Sequence, residues 1–310
     1  MRDTLKTMPA SFANAAVRSA WWQMHACVLL WGCTAVLGKV ISLPALALVW
    51  WRMLLVAVLL LLTPRTWRAL KGMSADLLMR YMAIGGVVAL HWLCFYGSVK
   101  LANASVAATT MALASVFIAF IEPWIMRRRF NPAEFLLGLV IIPGVLLVVG
   151  GTPPRMHAGL ILGVLSAVLV AIFGVLNKRL IAHADALTVT CLEMAGGWLL
   201  ISAMLPILPM TAAALSWPRG QDLWLMLFLC LACTLLPFAM SLAALRHLSA
   251  FGAQLAINLE PVYAIILGIV LLGEQRELDS SFYLGVVIIL LAIFAYPLMQ
   301  RGIGSPRHVH

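Results

Sequence analysis

The chain has 310 residues, of which 64% are hydrophobic and only 10% are charged, and its mean hydropathy is +1.03. A soluble domain carries charge on about a quarter of its residues, so this composition excludes a water-soluble globule and indicates a membrane protein. The net charge of +10 would suit a nucleic-acid partner. We expect none, because the basic residues stand singly or in short clusters between apolar runs.

Ten apolar segments come close to the length of about 20 residues that a helix needs to cross the hydrocarbon core. In chain order they are Trp21–Ile41, Ala45–Leu62, Leu78–Val99, Ala104–Met126, Phe135–Gly150, Ala158–Leu180, Leu187–Pro206, Leu223–Leu245, Ala250–Leu272 and Ser281–Met299. Strands of a membrane barrel would be shorter and would alternate in polarity. The sequence therefore predicts an all-α polytopic protein with ten transmembrane helices.

The basic residues orient these helices, because Lys and Arg accumulate in cytoplasmic loops. With the N-terminus inside, fifteen of the 21 Lys and Arg residues lie on the cytoplasmic side. The six assigned to the other side are Lys39, Arg52, Lys100, Arg155, Arg219 and Arg276. This distribution predicts that both termini are cytoplasmic, and we expect Lys39 to extend its ammonium group to the outer surface.

The second half of the chain repeats the first. Phe135–Ile142 and Phe282–Ile289 are identical at six of eight positions, 147 residues apart, and Lys100 aligns with Arg246 at an offset of 146. Near the start of each half, the run ending at Lys39 resembles the run ending at Lys178, 139 residues later. We infer two five-helix halves, 21–150 and 158–299, between cytoplasmic segments 1–20 and 300–310. Because five is odd, the second half enters the membrane from the opposite side, a plan that recurs in secondary transporters with a midplane substrate site.

These halves contain the residues of a known family. Trp31-Gly32, Lys39, the stretch Arg246–Ala253, and Leu259–Val262 leading to Gly273-Glu274 resemble the drug/metabolite transporter superfamily, in its EamA-like branch. The first half departs from this pattern, since Ser115 stands where the second half has Pro261, and Arg127-Arg128 where it has Gly273-Glu274. The resemblance implies small-molecule transport, commonly the export of amino acids or related metabolites.

Glu260 is the first candidate functional residue, because an ionisable group at membrane depth usually faces a cavity or a partner. It lies ten residues into the ninth segment, about 15 Å deep, and Pro261 after it allows a kink that a gate would use. Glu260 would couple transport to protons or neutralise a basic substrate group; alternatively, it is protonated and bonded to neighbouring helices. Gln254 and Asn258 share a helix face and are predicted to line a cavity.

His91 lies half-way along the third segment among Trp92, Phe95 and Tyr96. An imidazole surrounded by aromatic rings would bind an aromatic or zwitterionic ligand by stacking and hydrogen bonding. The alternative is a buried histidine that only links two helices.

Four further residues complete the predicted site. Pro237 would kink the eighth segment, Ser241 one turn later would present a hydroxyl, and Trp31 is deep enough either to pack or to line the cavity. Glu122 lies near the inner end of the fourth segment beside Arg127–Arg129, which favours a gating role.

Two other polar features have simpler interpretations. Glu193 is predicted about 10 Å deep in the seventh segment, where Lys178 or Arg179 would pair with it. Cys230 and Cys233 form a C-x-x-C motif in the middle of an apolar segment. No second ligand pair lies at metal spacing, so we interpret them as apolar packing, and we expect no metal or other cofactor.

Secondary transport is the preferred function. No Walker-type glycine loop occurs, and the loops are too short to hold an ATP-driven motor. We expect an exporter of amino acids, aromatic or bulky apolar ones first, in the bacterial cytoplasmic membrane, with the bilayer and protons as further partners. Alternative cargoes are cationic drugs or nucleotide-linked sugars. A membrane-embedded enzyme or a non-transporting scaffold is the alternative from another class, although His25, His91, His157 and His183 are scattered.

Overall fold

The fold is seen in a computed structural model. It describes residues 10–127, 129, 132–180, 182–207, 215–248, 253, 256–257 and 259–302. Within these ranges every regular element is a helix.

In the part of the chain that the structure describes, seven α-helices lie in the first half and six in the second. The first seven are α1 Ala10–Val40, α2 Ala45–Leu61, α3 Pro64–Lys71, α4 Ala75–Leu101, α5 Ala104–Met111, α6 Ala114–Met126 and α7 Pro132–Gly150. The others are α8 His157–Leu180, α9 Ala186–Met204, α10 Gln221–Cys230, α11 Leu236–Ala244, α12 Glu260–Leu267 and α13 Ser280–Gly302. A π-helical turn, Leu231–Leu235, joins α10 to α11, and another, Gly268–Leu272, extends α12.

Polar residues in the short connections determine where several helices begin. Thr63, Ser74, Asn103 and Asp185 each accept a hydrogen bond from a backbone N–H in the first turn of the next helix. Such caps satisfy donors that have no partner within the helix. They break long apolar stretches into separate helices.

Among the described residues, six helical stretches are long and apolar enough to cross a membrane, and a seventh is counted if α2 and α3, which meet at 84°, form one span. Shorter apolar helices cover the fifth, ninth and tenth predicted segments within the described residues. An all-helical polytopic membrane protein is therefore confirmed, and the ten-span count stays a prediction.

At one end of the bundle, hydrogen bonds join the connections between helices to one another. The Lys39 ammonium, expected to reach solvent, is half-buried and donates to the Ala102 carbonyl at 3.1 Å. In return Lys100 donates to the Ile41 carbonyl at 2.5 Å. At the same end the backbone N–H of Asp279 donates to the carbonyl of Gly151.

The other connections meet at the opposite end. Lys178 donates to the carbonyls of Leu245 and Leu248, both at 2.8 Å. Arg179 donates instead to the Ile125 carbonyl at 3.4 Å. The predicted pairing of either residue with Glu193 is therefore wrong. Both carboxyl oxygens of that buried residue lack a hydrogen-bond partner among the described residues.

Glycines let helices of the two halves touch through their backbones. A Cβ atom on Gly85 of α4 would overlap the backbone of Glu193 on α9, and one on Gly196 would overlap the backbone of Met82. Gly159 and Gly163 of α8 likewise lie against α4 and α5. Small residues permit this close approach in membrane bundles, so Gly159 and Gly163 form a close-packing face of α8.

Candidate functional site

A cavity of about 130 Å³ lies between the two halves of the chain. Helices α1, α2, α4, α5 and α6 contribute lining residues from the first half, and α8, α11 and α12 from the second. Six of the predicted site residues line it: Trp31, His91, Trp92, Phe95, Ser241 and Glu260. Thr34, Arg52, Phe173, Asn177 and Phe238 also line it, and sequence reasoning had not selected them.

The other predicted residues lie elsewhere. Tyr96 is fully buried behind the cavity wall, and Pro237 and Pro261 each occupy the first turn of a helix next to it. Glu122 lies on α6, within electrostatic range of Lys178. Gln254 and Asn258 are outside the described residues, so their predicted position stays a prediction.

Arg52 is the main correction to the sequence analysis, which placed it among the outer charges. It lies in the middle of α2, 3% exposed, and it lines the cavity. Its guanidinium carbon lies 3.8 Å from the centroid of the Trp92 ring. Nη1 donates to the Tyr96 hydroxyl and Nε to the Thr234 hydroxyl, both at 2.6 Å. Counting its depth along α2 would have identified it, as it identified Glu260.

Pro237 acts through Arg52 rather than on the cavity itself. Proline has no backbone N–H, so it leaves the carbonyl four residues earlier without its helical donor. That carbonyl belongs to Cys233 and accepts from Arg52 Nη2 at 3.3 Å. Pro237 therefore leaves an acceptor for the buried guanidinium, and its predicted kink stays a prediction. Cys230 and Cys233 are both buried free cysteines here, in keeping with the packing interpretation.

His91 lines the cavity and also links two helices. Its Nδ1 contacts Ser166 of α8, at 3.0 Å from the carbonyl oxygen and 2.8 Å from the hydroxyl. Because a carbonyl only accepts, Nδ1 carries the proton and links α4 to α8. In the neutral ring Nε2 is then an acceptor, and no hydrogen bond to it occurs among the described residues. The ring lies 5.4 Å from that of Phe173, another cavity residue.

Glu260 is the first residue of α12 and is 8% exposed. Pro261 follows in the first turn of α12, where a missing N–H costs nothing, and its predicted kink stays a prediction. Gly32 lets α1 approach this turn, since a Cβ there would overlap the Tyr263 side chain and lie 3.7 Å from the Glu260 carbonyl. Trp31 thus contributes its ring to the cavity wall, and Gly32 beside it permits the close contact between α1 and α12.

The cavity therefore combines one cation, one carboxyl group, an imidazole acceptor and several aromatic rings. Such a site suits a small amphipathic molecule with more than one polar group.

The comparisons with known proteins concern the whole chain. The model of the EamA-like transporter family matches twice, at residues 20–150 and 157–296, which confirms the internal duplication. No curated protein matches the sequence. A solved structure described as "Crystal structure of protein" is similar over 92% of this chain and 99% of its own, with a TM-score of 0.62 at 16% identity, so it shares the fold. Two family matches that together cover most of the sequence show that this chain belongs to the EamA-like transporter family.

Proposed function

We propose that this protein is a secondary transporter that carries amino acids, aromatic or bulky apolar ones first, in the cavity between its two halves. The observation that carries the proposal is the cavity itself, because both halves contribute its wall. A site at the junction of two repeats is where secondary transporters bind their substrates. Family membership supports transport over the enzyme and scaffold alternatives.

Alternating access follows from the repeat if the halves are inverted. Lys39 of α1 donates to the Ala102 carbonyl after α4, and Lys178 of α8 donates to the Leu248 carbonyl after α11. The offsets of 139 and 146 residues found between the halves relate these two bonds to each other. We call them the Lys39 latch and the Lys178 latch. The transporter would open one end by breaking one latch while the other stays closed.

The cavity supports an amino acid over the other cargoes. A nucleotide-linked sugar is too large for a cavity of about 130 Å³, since pockets for drug-sized ligands are about 300–1,000 Å³. A purely cationic drug would meet the buried Arg52 guanidinium, and like charges repel strongly at low dielectric. An amino acid supplies a carboxylate as well as an ammonium group, and the rings of Trp92, Phe95 and Phe173 would pack on its side chain.

Topology, membrane location, transport direction and energy source complete the proposal. Ten spans with both termini cytoplasmic accord with the alternation of connections between two ends and with the 15 to 6 distribution of basic residues. A bacterial cytoplasmic membrane and net export accord with the family resemblance. Proton exchange through Glu260, or the substrate gradient alone, would drive the cycle.

The test is counterflow of a radiolabelled amino-acid panel in liposomes that hold the purified protein, with and without a pH gradient. We expect saturable flux of an aromatic or bulky apolar amino acid, and its loss in His91→Ala. His183→Ala is the matched control, because His183 lies on an exposed connection. No amino-acid flux from folded protein would refute the substrate class, and flux indifferent to pH would refute proton coupling.

A further inference from the structure

The buried guanidinium of Arg52 has no assigned role in the proposed cycle. We infer that Arg52 is the carboxylate-binding residue of the cavity and that Glu260 receives the ammonium group of the same zwitterionic substrate. The inference rests on the proposed function and adds which residue binds which end of the substrate.

Arg52 has no carboxylate partner among the described residues. Arg52 is 3% exposed, and no carboxylate oxygen of the described residues lies within 4.0 Å of its nitrogens. Two ion pairs of the described residues, Arg65–Asp185 and Arg80–Asp76, lie instead near the ends of helices. An arginine stays charged at every physiological pH, and a buried charge is costly unless it is paired. An anionic substrate group would provide that pair.

The Arg52 guanidinium has more N–H donors than its three hydrogen bonds use. A guanidinium has five N–H groups, and three are used: Nε by Thr234, Nη1 by Tyr96 and Nη2 by Cys233. All three acceptors are neutral. One N–H remains on each terminal nitrogen, and two such donors suit the two oxygens of a carboxylate.

The Arg52 side chain is held in a fixed position. The Trp92 ring covers one face of the guanidinium at 3.8 Å from its centroid. The three hydrogen-bond partners come from α4 and from the π-helical turn between α10 and α11. A side chain held from two helices and one ring loses little further freedom when a ligand binds. Arg52 is thus positioned before the substrate arrives.

Glu260 provides a carboxyl group in the same cavity. It lines the same cavity as Arg52, yet no ion pair joins the two side chains. A molecule that carries both charges would bridge them and compensate both. A ligand with only one charge would leave the other residue unpaired, which is a strong basis for discrimination.

A purely structural arginine is the competing interpretation, since Arg52 also cross-links three helical elements. The two interpretations differ in ligand discrimination. We would measure inhibition of counterflow by phenylalanine, by its amide, which lacks the carboxylate, and by 3-phenylpropionate, which lacks the ammonium group. In the wild-type protein we expect both analogues to inhibit about 10- to 100-fold more weakly than the amino acid, as loss of charge-assisted hydrogen bonds implies.

Arg52→Gln is the decisive variant, and Arg80→Gln, at an exposed arginine, is its control. We expect Arg52→Gln to lose the preference for the acid over the amide, whereas a structural role would weaken both ligands equally and preserve their ratio. A preserved ratio would overturn the assignment and leave the transporter proposal intact. If the variant does not fold, the acid-to-amide ratio of the wild-type protein still decides, because a ratio near one overturns the inference.

Failure of the substrate class has a separate signature. If no amino acid is transported, thermal stabilisation of the purified protein by simple aromatic carboxylates is measured. Stabilisation that disappears in Arg52→Gln would support the carboxylate site while refuting amino acids as the cargo. No stabilisation by any carboxylate would overturn both.

Discussion

The Lys39 and Lys178 latches give the sharpest test of alternating access. Lys39 joins the end of α1 to the connection after α4, and Lys178 joins the end of α8 to the connection after α11. The perturbation is Lys39→Met or Lys178→Met, which keeps most of the apolar stem and removes the donor. Each substitution should favour opening at its own end only.

The magnitude follows from the bonds lost. A hydrogen bond to a charged group contributes about 1.5–3 kcal/mol, and because both lysines are half-buried we take about 1 kcal/mol for each bond. Lys39 donates one such bond and Lys178 two. At about 1.4 kcal/mol per factor of ten, opening should become about 5-fold more favourable in Lys39→Met and about 30-fold in Lys178→Met.

The assay is labelling of Ser241→Cys, in the cavity wall, by a membrane-impermeant maleimide in a variant whose six native cysteines are replaced. Vesicles of both orientations report access from each face. We expect the two substitutions to raise the labelling rate from opposite faces, in the proportions above, and Lys71→Met, at an exposed lysine of α3, to change neither. Faster labelling from the same face in both variants, or a change below twofold in either, would refute the latches.

Three further predictions concern the scaffold. Gly85→Ala should destabilise the protein by about 1–3 kcal/mol, because the new Cβ overlaps the backbone of α9, whereas Gly174→Ala has open space and should be neutral in a detergent melting experiment. Glu274→Gln should lower the melting temperature, since that carboxylate accepts from two backbone N–H groups and one hydroxyl at the start of α5; an unchanged melting curve would contradict this capping role. Pro237→Ala returns an N–H that competes for the carbonyl Arg52 uses, so substrate affinity should fall several-fold with little loss of stability, and equal loss of both would argue against it.

Hydropathy and repeat matching predicted the membrane class and the duplication, because both depend on local composition. Glu260 and His91 line the cavity, as expected of ionisable residues within apolar segments. Helix rise places Arg52 about 10 Å along α2, also within an apolar segment. Arg52 was not selected as a site residue because its charge was counted among the basic residues that orient the helices.

Contacts between helices could not be predicted in this way. Glu193 is buried on α9, but whether Lys178 meets it depends on how α8 turns against α9 and α11. The backbone contact between Gly85 and Glu193 directs α9 towards α4, while Lys178 turns to the carbonyls after α11. Hydrophobic periodicity specifies which face of a helix is buried and leaves its partner open.

Symmetry in this protein belongs to the scaffold and not to the binding site. The latches recur in both halves, but at the offset of 146 residues Glu260 and Pro261 correspond to Ala114 and Ser115. Exchange of conformations between the halves requires equivalent latches, because each end must open and close by the same means. Recognition makes no such demand, since one cavity serves both states. Charged residues in the cavity wall are therefore free to differ between the halves, and among transporters that share this scaffold they should vary with the cargo while the latches persist.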